Sequence, residues 1–246
     1  MSSHRHFKSC KLFLCYGSGK AYLMDSRRYL DKNLLPTHFF ILTHNFKMAK
    51  LPGPKEEDGP GIWGVIKKRR SRRSLSGPIS KAELSQLLWA ADGLTGGEGD
   101  RELRAAPSAG ALYPVETYVV VNQVKDLEPG IYHYNIRDHE LELIRRGDLR
   151  TAIASAALGQ TMCSDAAVVF IWTIVFDRCA RKYGERANRY VFLDAAHICQ
   201  NLLLAAEALG LGACPIAAFH DVTLNEVVGV DGQKESAGYM AAVGRK

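Results

Sequence analysis

One apolar run, Ala166-Ala-Val-Val-Phe-Ile-Trp172, continues with little interruption to Val175 and must lie inside whatever this chain folds into. Its length suits a strand that is buried rather than half-exposed, because no polar residue alternates with the apolar ones. It is far short of the roughly 18 consecutive apolar residues that a membrane span needs, and no other stretch supplies them. The composition, 47% apolar and 24% charged over 246 residues, excludes disorder, collagen and coiled coil. At roughly 100–200 residues per domain, the length fits one large domain or two small ones. Lys11–Tyr16 is too short an apolar region for a secretory signal. The expected location is therefore cytoplasmic, with no membrane partner.

Around the buried strand the pattern alternates irregularly between helix and strand. Ser80-Lys-Ala-Glu83 is a capping box that opens a helix with Leu84, Leu87, Leu88 and Ala91 on one face, ended by Gly93. Val115–Asn122 reads as a strand, and Gly130–Asn135 with Glu140–Ile144 as a hairpin around Arg137-Asp138-His139. A short helix is expected at Leu149–Leu158. The longest helix spans about Ala187–Leu209, apolar at Val191, Ala195, Ile198, Leu202, Ala205 and Leu209, and stops at Gly210-Leu-Gly212. A strand near Ala213–Ala218, a helix capped by Thr223-x-x-Glu226 and a last strand, Gly238–Val243, follow. Without strict strand–helix–strand alternation, this pattern predicts an α+β sandwich rather than a parallel nucleotide-binding sheet.

The first 47 residues differ from the rest. They hold half of the histidines and the whole of the net charge of +6, and they lead into a linker rich in Pro, Gly and acidic residues up to about residue 60. They are read either as an accessory or targeting segment or as sequence upstream of a natural start at Met48; the second reading is favoured. Residues 61–246 form the expected domain. Basic and acidic residues cancel beyond residue 47, so the chain is not expected to bind nucleic acid over its surface. The cysteines Cys10, Cys15, Cys163, Cys179, Cys199 and Cys214 show no metal-ligand spacing and are expected to be free thiols, with no metal site.

Three segments offer chemistry. Lys67-Lys-Arg-Arg-Ser-Arg-Arg73 is either a solvated or nucleic-acid-binding charge run or a phosphate site, since a Ser among arginines gives forked, charge-assisted hydrogen bonds. Pro107-Ser-Ala-Gly-Ala111 is small and backbone-rich, suited to lying against a planar ligand, and equally readable as an ordinary loop before a strand. Gly210–Phe219 is a helix stop followed by a short apolar strand, open to a packing role or to donating backbone N–H groups to a ring system.

Together these segments resemble the nitroreductase superfamily, and its SagB-type dehydrogenase branch in particular. Arg69-Arg-Ser-Arg-Arg73, Pro107-Ser-Ala-Gly-Ala-Leu-Tyr-Pro114, Gly130-Ile-Tyr-His-Tyr134, Lys182-Tyr-Gly184 with Arg189-Tyr190, Asp194-Ala-Ala-His197, Gln200-Asn201, Gly210–Asp221 and Val243-Gly244 carry the match over about residues 50–246. The resemblance implies a three-layer α/β/α sandwich with a mainly antiparallel sheet, an intertwined homodimer and bound FMN. It assigns Arg69, Arg70, Ser71 and Arg73 to the phosphate and ribityl end of the flavin. It places Pro107, Ser108, Ala109 and Gly110 against a flavin held mainly by the partner subunit. Pro215, Ile216, Ala217 and Ala218 would lie along the ring system, with backbone N–H groups near its N5 edge. Such a donor would stabilise the reduced flavin.

The sequence also departs from the family. Ala217 stands where many members have Glu, Asp194-Ala-Ala-His197 where Glu-Ala-Gly-His is common, and Arg245 is the residue near the end of the chain that could reach the phosphate. Members of this branch that oxidise azoline rings in peptides use a Lys-Tyr pair as acid and base, which corresponds here to Lys182 and Tyr183; the bland alternative is a solvated Lys beside a packing Tyr in an Arg-rich loop. His197 reads as a core histidine. The expected activity is an FMN-dependent two-electron oxidoreductase, ping-pong with NAD(P)H and an electron-poor small-molecule acceptor. An azoline-type ring dehydrogenase acting on a peptide is the alternative within enzymes, and a non-catalytic flavin- or nucleic-acid-binding module the alternative outside them.

Overall fold

The computed structural model describes residues 61–98 and 101–246. The N-terminal segment, its linker, Cys10 and Cys15 lie outside the described residues, as does any boundary at residue 60. Among the described residues eight strands and seven α-helices follow in chain order: α1 (Ile62–Lys68), α2 (Lys81–Asp92), β1 (Leu94–Glu98), β2 (Arg101–Arg104), β3 (Val115–Val121), β4 (Gly130–Asn135), β5 (Glu140–Arg146), α3 (Arg150–Ala156), α4 (Met162–Asp165), β6 (Val168–Ile174), α5 (Phe176–Tyr183), α6 (Ala187–Ala208), β7 (Gly212–Ile216), α7 (Asp221–Val228) and β8 (Ser236–Gly244). The sheet has six strands in the order β5-β4-β3-β6-β8-β7, with every neighbouring pair antiparallel.

The apolar run forms β6 and lies between β3 and β8, buried at all seven positions. Because side chains alternate across a strand, β6 serves two cores at once. Val168, Phe170 and Trp172 meet Leu84, Leu87 and Leu88 of α2 and Ala195, Ile198 and Leu202 of α6. Val169 and Ile171 meet Ile153 of α3, Met162 and Cys163 of α4, and Leu224 and Val227 of α7. Helices thus cover both faces of an antiparallel sheet, which is the α/β/α sandwich of an α+β protein.

The capping box is present: Ser80 Oγ accepts from Glu83 N at 3.1 Å, and Glu83 accepts from Ser80 N at 2.7 Å. Elsewhere local signals are overridden. Thr223 and Glu226 do not cap a helix, because α7 begins earlier, at Asp221, where His220 N donates to Ala156 O at 2.8 Å and fixes the entry of the chain. Arg101–Arg104, for which the sequence pattern predicts no strand, pairs with Leu94–Glu98 in a two-stranded hairpin outside the main sheet. Lys182 and Tyr183 end helix α5 rather than lying in a loop. His197 is exposed on α6 rather than in the core. Among the described residues no helix is long and apolar enough to cross a membrane, and no cluster of His, Cys, Asp or Glu could hold a metal. The four described cysteines are buried free thiols.

Candidate functional site

The candidate residues form two groups at opposite ends of the sheet. The first is built on the outer edge of β7. Ser71 bridges Ala213 in parallel register, with Arg72 N donating to Ala213 O at 2.9 Å. This contact lays the arginine segment beside the strand that carries Pro215 and Ile216. Gly212 permits the approach, since a Cβ there would meet Leu75 Cδ2 at 2.7 Å. Burial pushes the Cys214 thiol up, while Arg73 and a hydrogen bond from Ser71 pull it down. Arg69 is half-buried, and Ser71 and Arg73 are exposed. Among the described residues no carboxylate pairs with Arg69, Arg72 or Arg73. A group of guanidinium cations held beside a fixed backbone edge and left unneutralised is suited to an anion, and a flavin phosphate fits that donor set.

Two arginines assigned to this group are differently employed. Arg70 turns back on its own segment, donating from Nη1 to Lys67 O at 2.9 Å and to Arg69 O at 2.8 Å. Arg245 forms a bidentate pair with Glu83, at 2.8 and 2.9 Å, and its Nε donates to Pro78 O at 3.2 Å. Arg245 therefore ties the last strand to the capped end of α2, and its fork does not face the phosphate donors. The capping box supplied the missing signal: its Glu is the partner that claims the cation. Ala217 and Ala218 are exposed just beyond β7, and Ala218 O accepts from Gln160 Nε2 at 3.0 Å.

The second group gathers at the other end of β6. Ser108 Oγ donates to Asp194 of α6 at 2.6 Å, and Ala109 N donates to the same carboxylate at 3.2 and 3.3 Å. Gly110 then presses against α5. A Cβ on Gly110 would lie 2.6 Å from Tyr183 Oη and 2.8 Å from Lys182 Nζ, so both polar tips converge on one point above this turn. Tyr183 packs edge-on against Tyr190 at 4.9 Å between centroids. Arg178 of α5 donates to Tyr113 O at 3.1 Å and pairs with Glu116, which in turn holds His133 at 3.0 Å. Asp194 and Arg178 escaped the sequence reading as site residues. A signal for the first existed: Asp194 falls three residues after Val191 and four before Ile198, on the buried stripe of α6.

Strand register measures the separation of the groups. Ser71 sits opposite Ala213, then Val243, then Val168, whereas Pro114 and Val115 meet Val175 and Ile174. Six residues of β6 at about 3.3 Å each put the groups roughly 20 Å apart along the strand. One chain therefore does not bring Pro107–Gly110 onto Arg69–Arg73.

Four titratable groups, Asp92 beside the second site among them, set a pH dependence. Burial pushes Asp92 up to about 7 against the opposing pull of Arg104, its partner at 3.0 Å. The hydrogen bond to Glu116 raises His133 above 6.5. In both cases the folded chain holds its proton more tightly than the unfolded chain does, so stability falls as pH rises through the interval. For Asp92 that interval runs from about 4 to about 7. Glu83 and Glu116, both lowered, lose their contributions only as pH falls through and below 4.5. We expect guanidinium unfolding at pH 8.5 to give about 2 kcal/mol less stability than at pH 5.5. Asp92→Asn should flatten most of that slope. Equal or greater stability at pH 8.5 would refute the assignment.

Comparison with known proteins agrees with this architecture. The model of the nitroreductase family matches residues 66–245. A candidate nitroreductase of Methanocaldococcus jannaschii is 37% identical over 182 residues, covering 74% of this chain and 89% of its own. The trifolitoxin-processing protein TfxB of Rhizobium leguminosarum is 34% identical over 144 residues, 56% of this chain and 39% of its own. A candidate nitroreductase of Anabaena variabilis, solved by crystallography, superimposes with a TM-score of 0.64 at 32% identity, covering 75% of this chain and 38% of that one. The chain thus spans well under half the length of the latter two. The match across residues 66–245, on a sheet sandwiched by helices, shows that the chain belongs to the nitroreductase family.

Proposed function

We propose that residues 61–246 form an FMN-binding domain of the SagB-type branch, an oxidoreductase that exchanges two electrons with NAD(P)H and an electron-poor acceptor in turn. The observation that carries this reading is the unneutralised Arg69–Arg73 segment fastened to β7 beside Ser71. Arg69, Ser71 and Arg73 would hold the phosphate, and Pro215 to Ala218 would lie along the ring system. FMN supplies the hydride chemistry when bound. The protein's part is to fix the ring, exclude water and offer a proton donor nearby.

The two-ended layout favours a homodimer, in which a partner's Pro107–Gly110 turn completes the site that one chain leaves open. Exposed apolar side chains on α1 (Ile62, Trp63, Ile66) and α6 (Phe192, Leu193) offer the surface for such pairing. The buried free thiols fit a reducing, cytoplasmic location.

A second reading, oxidation of an azoline-type ring in a peptide, is favoured by the convergence of Lys182 Nζ and Tyr183 Oη over Gly110. Loss of a hydride from a ring carbon requires a base for the neighbouring proton, and these two groups are placed together to supply one. The resemblance to a trifolitoxin-processing protein points the same way.

The test is the visible absorption spectrum of the purified full chain, with identification of whatever heat releases, followed by anaerobic addition of NADH, NADPH or a thiazoline peptide. FMN at about one per chain, bleached by a nicotinamide donor, supports the first reading. Bleaching by the thiazoline peptide alone supports the second. A colourless protein that takes up no added FMN overturns both.

A further inference from the structure

Asp194 is a carboxylate with 4% of its surface exposed on a helix face otherwise made of Val191, Ala195 and Ile198. A charge in such a place is retained only where it is fully hydrogen-bonded, and its partners all come from one turn. Ser108 Oγ donates to it at 2.6 Å while accepting from Tyr113 N at 2.9 Å, and Ala109 N donates to both carboxylate oxygens. Between these anchors the backbone is left-handed at Gly110 (φ 64°), Ala111 (φ 54°) and Tyr113 (φ 45°). Two of the three are not glycine, so the conformation persists only because its surroundings impose it. Its outer surface is where Lys182 and Tyr183 rest, in the space that a Cβ on Gly110 would take. Arg178 fastens the other end of the turn to α5 through Tyr113 O.

We propose that Asp194 is a positioning residue, which acts through Ser108 and Ala109 to hold the Gly110 turn as the seat for the tips of Lys182 and Tyr183. This inference rests on the second reading above for its functional meaning, but its structural content stands apart from it. Two acceptor oxygens are what the turn demands, one for the Ser108 hydroxyl and one for the Ala109 N–H. Asp194→Asn keeps the size and replaces one acceptor by an N–H₂ donor, so it should break the clamp without opening a cavity.

The experiment uses the full chain and two readouts. Trace acetylation with acetic anhydride, mapped by peptide mass spectrometry, gives the labelling rate of Lys182 relative to Lys81, which lies on the remote α2. Turnover of a synthetic thiazoline peptide by the flavin-loaded protein gives kcat and KM separately. Asp194→Asn and Ser108→Ala should each change the Lys182-to-Lys81 labelling ratio at least threefold. Each should also lower kcat, expressed per bound flavin, about tenfold, with KM within twofold. Should Asp194→Asn fail to fold, Ser108→Ala interrogates the same bond. An unchanged labelling ratio in a folded variant overturns the proposal. If labelling changes but kcat does not, and Lys182→Ala and Tyr183→Phe also turn over normally, the clamp stands and the azoline reading falls.

Discussion

Replacing Arg69 and Arg73 together by alanine should weaken flavin binding by about 10²- to 10⁴-fold while leaving the fold intact. Each charge-assisted hydrogen bond to a phosphate contributes about 1.5–3 kcal/mol, and two of them convert to that range at about 1.4 kcal/mol per factor of ten. The fold should survive because what fastens the segment is backbone: Arg72 N to Ala213 O, and the Ser71 bridge. Neither side chain reaches the core. Titration of apo-protein with FMN, followed by quenching of flavin fluorescence, measures the effect. Arg70→Ala is the internal control and should shift affinity little, since Arg70 is engaged with Lys67 O and Arg69 O. Stoichiometric flavin retained by the double variant would remove the phosphate assignment altogether.

The second large effect concerns stability. Phe170→Ala should cost about 3–5 kcal/mol, the usual range for deleting a fully buried aromatic ring. Phe170 has no exposed surface, lies in the middle of the central strand β6 and stacks on Trp172 at 6.3 Å between centroids. The sheet around it has little freedom to collapse into the space, because β6 is paired on both sides along its whole length. Guanidinium unfolding followed by circular dichroism checks it. A loss below about 1 kcal/mol would mean that the two helices on that face close over the gap, contrary to the packing density expected of such an interior.

What could be read from residue order alone divides along physical lines. Elements specified by their own neighbours were legible: the capping box Ser80–Glu83, the hairpin around Arg137-Asp138-His139, the all-apolar β6, and the stripe of α6 from Val191 to Leu202. Elements specified by distant partners were not. The hairpin Leu94–Glu98 with Arg101–Arg104 contains two adjacent glycines and charged residues that carry no strand signal. Helix α5 is so rich in charge that only its docking through Cys179 distinguishes it from loop. The Thr223 capping pattern was locally sound and lost to an entry point fixed by Ala156. At the site, resemblance supplied the candidate residues, and Arg245 shows the limit of that route. A cation near the end of the chain reads as a phosphate ligand until the carboxylate it faces is known. Asp194 shows the converse. A single charge on an apolar stripe asks for a partner, but only three-dimensional structure names Ser108 and Ala109.

The bridge between Ser71 and Ala213 has a bearing on how the sheet avoids pairing edge to edge with other chains. Strand β7 ends the sheet, and an uncovered terminal strand is a template on which another chain can pair. Two devices guard it: Pro215 interrupts its row of donors, and Ser71 covers its outer side by pairing with Ala213, while Ser76, pairing with Arg245, fastens the same segment to the chain just past β8. The opposite border, β5, is protected differently, by Glu140, Glu142, Arg145 and Arg146. On the proposed function, the arginine segment carries two burdens on one stretch of backbone, recognition of an anion and protection against aggregation. Substitutions that alter only its side chains are free to retune the first. Those that loosen its backbone expose a sticky edge, and their cost would register as lost solubility before it registered as lost affinity.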